Sequence, residues 1–152
     1  MANSPNREEV RDALAALIDI DLSGTVVKVY NYSTVDIENQ SPVILVFSDG
    51  TNRPKRQGFG PDSKFDTFVR LRVQAYVALP GPNDVSYTQQ NAEDLLDLID
   101  KKIADVVTEH NSYTSFWRSL NYEEGFSRPE DVLMSGSPYI REEWALVAGL
   151  PY

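Results

Sequence analysis

The sequence predicts an α+β fold: a mostly antiparallel, mixed β-sheet flanked by two main helices. Three observations predict it. Two segments carry apolar residues at spacings of three and four, and one segment alternates at spacing two. The segments also run helix, strands, helix, strands, not as alternating βαβ units. Residues 1–152 are the length of one domain, and no repeat or low-complexity block divides them.

The first helix is expected to start at Ser4–Pro5, where serine can cap free amides and proline suits the first helical position. Val10, Leu14, Leu17 and Ile18 follow helical spacing, and Ser23–Gly24 ends the segment. Thr25 to Tyr32 is rich in β-branched and aromatic residues and reads as a strand, with Val35 to Asn39 as an extension after a bend. Ser41–Pro42 marks a new start. Val43 to Phe47 is wholly apolar, as a strand covered on both faces should be. Ser48-Asp49-Gly50 is expected to turn the chain. Thr51 to Asp66 is polar, contains Pro54, Gly58, Gly60 and Pro61, and reads as a long arm.

Phe68 to Ala78 is the clearest strand. Val69, Leu71, Val73, Ala75 and Val77 alternate with Phe68, Arg70, Arg72, Gln74 and Tyr76, so one face is apolar and the other carries two arginines. Pro80 to Asp84 stops it. A second helix spans about Tyr87 to Glu109, with an apolar stripe of Ala92, Leu95, Leu96, Ile99, Ile103, Val106 and Val107. Its other face carries Glu93, Asp94, Asp97, Asp100 and Asp105, with Lys101 and Lys102 among them. Phe116 to Tyr122 reads as a strand. Asp131 to Met134 and Tyr139 to Val147 read as a hairpin through Ser135-Gly136-Ser137-Pro138.

Composition excludes several chemistries. With no cysteine there is no disulfide framework, thiolate zinc site, iron–sulfur cluster or cysteine nucleophile. The single histidine, His110, excludes a multi-histidine metal site within one chain. A net charge of −9 disfavours sequence-specific DNA binding. No apolar run reaches the roughly 18–20 residues that span a bilayer. Met1 to Glu9 lacks the basic-then-apolar pattern of a signal peptide, so synthesis in the cytoplasm of the producing cell is expected.

Candidate chemical motifs are incomplete. Asp19, Asp21, Ser23 and Gly24 resemble the first half of a calcium loop, but its twelfth position holds Tyr30 instead of glutamate. Gly58-Phe59-Gly60 has no third glycine and does not join a strand to a helix. His110 ends the second helix, where it complements the dipole. Glu123-Glu124, Glu130-Asp131 and Glu142-Glu143 are adjacent pairs whose members point to opposite faces of a strand, which no glycosidase pair can do. Asn31-Tyr32-Ser33 fits a glycosylation acceptor, which has no meaning without a secretory route.

Charge segregation is the informative feature. Arg53 to Arg72 holds six basic residues (Arg53, Lys55, Arg56, Lys64, Arg70, Arg72) against Asp62 and Asp66. Glu93 to Glu109 holds six acidic residues against two lysines. Two such blocks on one small domain can pair head to tail between copies, and heterologous pairing closes into a ring when the rotation permits. The candidate subunit or tube interface is therefore Arg53, Lys55, Arg56 and Lys64 with Glu93, Asp94, Asp97 and Asp100.

The order of passages resembles the tail terminator, or tail completion, proteins of long-tailed bacteriophages, among the small head–tail joining proteins. The likeness runs from about Pro42 to Val147. It takes in Ser41 to Phe47, the turn at Ser48 to Gly50, the basic arm Arg53-Pro54-Lys55-Arg56 and the alternating strand Val69 to Val77. It continues through the helix Asn91 to Ile99, the tryptophan segment Trp117 to Tyr122 and the final hairpin Tyr139 to Val147. The resemblance implies a structural virion protein, not an enzyme, with no cofactor and no metal. It implies a ring, typically of six, on the head-proximal end of the tail tube. That ring stops tube growth and offers a surface to the head connector, while DNA passes through its lumen without specific binding. The alternatives are a head-completion or neck adaptor of the same fold, and a small carboxylate hydrolase using Asp19, Asp21 or His110.

Overall fold

The computed structural model describes residues 5–53, 67–80, 87–113, 115–123 and 127–150. Among these described residues, two helices, α1 (Arg7–Asp21) and α2 (Gln89–Glu109), accompany six strands. The strands are β1 (Lys28–Tyr30), β2 (Val43–Asn52), β3 (Phe68–Ala78), β4 (Ser119–Tyr122), β5 (Glu130–Met134) and β6 (Ser137–Gly149). They form one mixed sheet in the order β1-β2-β3-β6-β4, with β5 also on β6. Of these six strands, β1 and β2 pair in parallel and the other pairs are antiparallel. The α+β class and its sheet-dominated make-up match the expectation.

The strand β3 behaves as its pattern predicts. It lies between β2 and β6 and pairs with β6 at every residue from Phe68 to Ala78. Its aliphatic side faces the helices, where Val69, Leu71, Val73, Ala75 and Val77 join Leu14 and Ile18 of α1 and Ile99 and Ile103 of α2. A second apolar cluster occupies part of the opposite face, with Tyr30, Ile37, Val43, Leu45, Tyr76, Met134 and Tyr139. This explains the continuous apolar run of β2. Ile44 and Val46 enter the helix-side core, whereas Val43 and Leu45 enter the other.

Several boundaries differ from expectation, each for a local reason. The cap of α1 is Asn6, not Ser4. Its side chain accepts the Glu9 N–H at 2.8 Å, while Glu9 Oε1 accepts the Asn6 N–H at 3.3 Å, a reciprocal capping box. Ser4 lies outside the described residues. The helix α2 starts at Gln89, two residues after Tyr87, because Thr88 and Asn91 form a second capping box. The expected strand from Thr25 shrinks to β1, since Thr25 and Val26 spend their N–H groups on the Leu22 carbonyl. Val35 to Asn39 is not a strand. Local bonds from Thr34 and Asp36 and the left-handed Glu38 and Asn39 (φ 56° each) turn it, and Ile37 is buried beneath it.

Ser48-Asp49-Gly50 does not end β2. The register slips between Ser48 and Thr51, Gly50 takes φ 121°, and pairing resumes at Thr51↔Val69 and Asn52↔Phe68. A bulge absorbs the extra residue that a turn was expected to use. The polar arm therefore begins after Asn52, and residues 54–66 of it lie outside the described residues. The strand expected from Phe116 begins only at Ser119. Phe116 and Trp117 instead donate to the Tyr113 carbonyl, and Trp117 is buried with its indole N–H on the His110 carbonyl at 2.7 Å. The β5–β6 hairpin has a tighter turn than expected. Met134 pairs with Ser137, leaving Ser135 (φ 52°) and Gly136 (φ 82°) as a two-residue turn of the mirror-image kind that matches strand twist.

The second edge of β6 is shared. Its start pairs with β5 from Ser137 to Arg141 and its end with β4 from Leu146 to Gly149. Glu142 to Ala145 face a notch between those two strands, with the Glu123 N–H reaching the Ala145 carbonyl at 2.8 Å. Among the described residues, no helix is long and apolar enough to cross a membrane.

Packing gives a direct test. Ile99 is fully buried in the helix-side core, whereas Leu133 on β5 is 72% exposed. Ile99→Ala is expected to lose about 2–5 kcal/mol of stability through lost transfer energy and a cavity. Leu133→Ala should stay within about 0.5 kcal/mol. Urea unfolding of the two variants checks the contrast.

Candidate functional site

The alternation of β3 places Arg70, Arg72, Gln74 and Tyr76 on the sheet face away from the helices, and neighbouring strands bring them carboxylates. Arg70 donates to both oxygens of Glu123, at 2.6 and 2.8 Å, and approaches Asp49 at 3.6 Å. Arg72 donates to Asp49 at 2.7 Å and also to Glu143. Gln74 donates to Glu143, and the Tyr76 hydroxyl donates to Gln74 at 2.8 Å. Arg141 closes the far end on Glu130 at 2.8 Å. The result is a ribbon of alternating charge across β2, β3, β6 and the flanks of β4 and β5.

Hydrogen bonding to Asp49, reinforced by Glu143, holds the Arg72 guanidinium above its ordinary range. An isolated surface ion pair contributes only about 0–1 kcal/mol. A bidentate pair within a shared network fixes geometry better than an isolated contact. The ribbon therefore orients this face more than it stabilises the fold.

The notch beside β6 opens into a cleft of about 440 Å³. Arg72, Glu123, Arg141 and Glu143 line it from the ribbon face, and Asp100 and Trp144 from the helix face. The Trp144 indole N–H donates to Asp100 at 2.8 Å, tying α2 to β6. Glu142 stands nearby on the helix face, opposite Ala75, while Glu143 points into the ribbon. The expectation that adjacent carboxylates diverge is met by this pair. Burial, followed by the negative charges of Asp100 and Asp97, pushes the Glu142 carboxyl up to about 7; a hydrogen bond from Ser127 opposes this. Burial, followed by the charge of Asp100, also pushes Tyr122 up to about 12.

The sequence-predicted interface residues divide into three sets. Glu93, Asp94 and Asp97 are exposed on α2, as the stripe pattern requires. Asp100 is half-buried and engaged by Trp144, so it borders the cleft. Arg53 is exposed just past β2, and Lys55, Arg56 and Lys64 lie outside the described residues. The basic stretch counted in sequence includes Arg70 and Arg72, whose charge is neutralised within the chain by Asp49, Glu123 and Glu143. The ribbon and the acidic surface of α2 lie on opposite sides of the sheet.

Other candidates stay apart from the cleft. Asp19 is exposed, Asp21 and His110 are half-buried, and none of them lines it. Gly58-Phe59-Gly60 and Glu124 lie outside the described residues. Sequence reasoning missed Asp49, Glu123 and Glu143 as arginine partners, since those contacts join residues 23 to 71 positions apart. A weak signal existed in the charged Glu142, which interrupts the apolar alternation of Ile140, Trp144 and Leu146. Compared with known family models and with curated proteins, the chain matches none.

The Glu142 geometry has a pH consequence. Its carboxyl rises from an ordinary 4.5 to about 7 on folding, so the folded state binds the proton more tightly. Linkage then makes stability fall as pH rises from about 4.5 through about 7. Glu142→Gln should remove that part of the pH dependence and unfold at higher urea than the parent chain above pH 7. Urea midpoints across this range check it, and parallel curves for the two proteins would count against it.

Proposed function

We propose that this chain is a ring-forming structural protein of a phage tail, of the tail terminator kind. Copies would assemble head to tail, typically six to a ring, on the head-proximal end of the tail tube. The ring ends tube growth and presents a surface to the head connector. Its partners are further copies of itself, the tail tube protein and a connector or neck protein. DNA passes through the lumen without specific binding, which suits a chain of net charge −9. It is made in the host cytoplasm and resides in the virion.

One observation carries this reading: the exposed acids of α2 sit on the opposite side of the sheet from the arginine ribbon. An exposed acidic surface confined to one side of the protomer fits a heterologous contact with a basic segment elsewhere on the next copy, the kind that closes into rings. The ribbon adds a second element. It satisfies its own arginines, so that of the basic stretch counted in sequence Arg53, exposed just past β2, is the one described residue left open to a neighbour. A head-completion or neck adaptor would use the same fold and the same contacts, and location in the particle separates the two. A carboxylate hydrolase has less support, because Asp19, Asp21 and His110 do not line the cleft.

Native mass spectrometry across protein concentration and salt tests the reading. A closed oligomer is expected, loosening as added salt shortens the screening length from about 10 Å at 0.1 M to about 3 Å at 1 M. Neutralising Arg53, Lys55 and Arg56 together, or Glu93, Asp94 and Asp97 together, should weaken it while circular dichroism stays unchanged. Assembly indifferent to both triple substitutions would sink the charge-paired contact.

A further inference from the structure

Both helices end at the same place. Asp21 is the last residue of α1, Glu109 is the last of α2, and His110 caps α2. One side-chain donor atom from each lies within 4.8 Å of those of the other two. Residues distant in sequence thus offer an imidazole nitrogen and two carboxylate oxygens to one point.

The electrostatics of that point are unbalanced. A helix C-terminus carries partial negative charge, and here two of them converge. Neither helix has a basic residue in its last turn. Asp21 and Glu109 add two formal negative charges. Among the described residues, none of the three side chains makes a hydrogen bond or an ion pair. The backbone of His110 is nonetheless fixed. Its N–H donates to the Val106 carbonyl at 2.9 Å, its carbonyl accepts the Trp117 indole N–H at 2.7 Å, and its ring stands edge-on to Tyr113. The imidazole is held in place, and among the described residues nothing engages its nitrogens.

We propose that Asp21, Glu109 and His110 form a three-ligand site for a divalent transition metal ion, zinc in the first instance. Zinc binds imidazole nitrogen and carboxylate oxygen at about 2.0–2.2 Å, so side-chain rotations of about an ångström close the set around it. The imidazole disfavours calcium and magnesium, which take oxygen ligands and more of them. Three protein ligands leave a fourth position open, and the exposure of Glu109 places the site at the surface. The ion would balance the charge of both carboxylates, removing their repulsion beside the two helix ends, and would clip α1 to α2. This site is independent of the assembly reading.

The composition makes the test clean. With one histidine and no cysteine, proton NMR of the full chain shows a single imidazole, and no thiolate or second imidazole competes for the metal. Titration with zinc chloride should move the imidazole resonances and saturate at one equivalent. Zinc should also raise the unfolding temperature, since it binds the folded state. Asp21→Asn and Glu109→Gln should each weaken binding by about tenfold or more, because losing even an outer partner of a ligand costs about that much. Glu8→Gln, in the first turn of α1 and so at the other end of that helix from Asp21, should leave it unchanged. Imidazole resonances that stay still in millimolar zinc would overturn the site. So would a shift that never saturates, or equal weakening by Glu8→Gln and Asp21→Asn.

Discussion

The structure depends on the period-two alternation of β3, held in the middle of the sheet. A strand with neighbours on both edges cannot slip by one residue without sending its aliphatic side into solvent. Val69, Leu71, Val73, Ala75 and Val77 are all fully buried, so such a slip would expose five side chains at once. That constraint fixes which face the helices cover. It also fixes where Arg70, Arg72, Gln74 and Tyr76 must stand. The core and the charged ribbon are therefore two consequences of one pattern.

The ribbon changes how the charge of the chain is counted. In sequence, Arg70 and Arg72 extend a basic block. In the fold they complete pairs with Asp49, Glu123 and Glu143, and contribute little field beyond the sheet. On α2 the opposite holds: Glu93, Asp94 and Asp97 stay exposed. Acidity is concentrated on the helix side, and the ribbon face is nearly self-compensated. Gln74, a buried polar residue, is tolerated because Tyr76 and Glu143 satisfy its amide.

The sequence was legible where the signal is local. Helical stripes located both helices to within two residues, and strict alternation located β3 to the residue. The sequence was illegible where tertiary contacts choose between local options. Ser48-Asp49-Gly50 has the composition of a turn, yet pairing across to Phe68 and Val69 makes it a bulge. Val35 to Asn39 has strand-like Val35 and Ile37, yet the side chains of Thr34 and Asp36 accept local backbone N–H groups and bend it. The same division applies to the sites. The acids of α2 could be placed from their helical spacing. The link from Trp144 to Asp100 could not, because it spans 44 positions. The meeting of Asp21 with Glu109 and His110 was equally hidden, because 88 positions separate Asp21 from Glu109.

Glu142 is where local and global order disagree. The helix-side face of β6 reads Ile140, Glu142, Trp144, Leu146, and a carboxylate belongs least in that row. Its partner on β3 is Ala75, the smallest residue of that apolar face, and Asp97 and Asp100 approach from α2. Consistent sequences place such exceptions at sites that do something besides fold. The repulsion here is relieved by a proton, or by any positive group arriving against Asp97 and Asp100. A neighbour's basic side chain would favour the charged form of Glu142 that the isolated protomer disfavours. Contact on the acidic side of α2 and the ionisation of Glu142 are thereby coupled, whatever the partner that brings the charge.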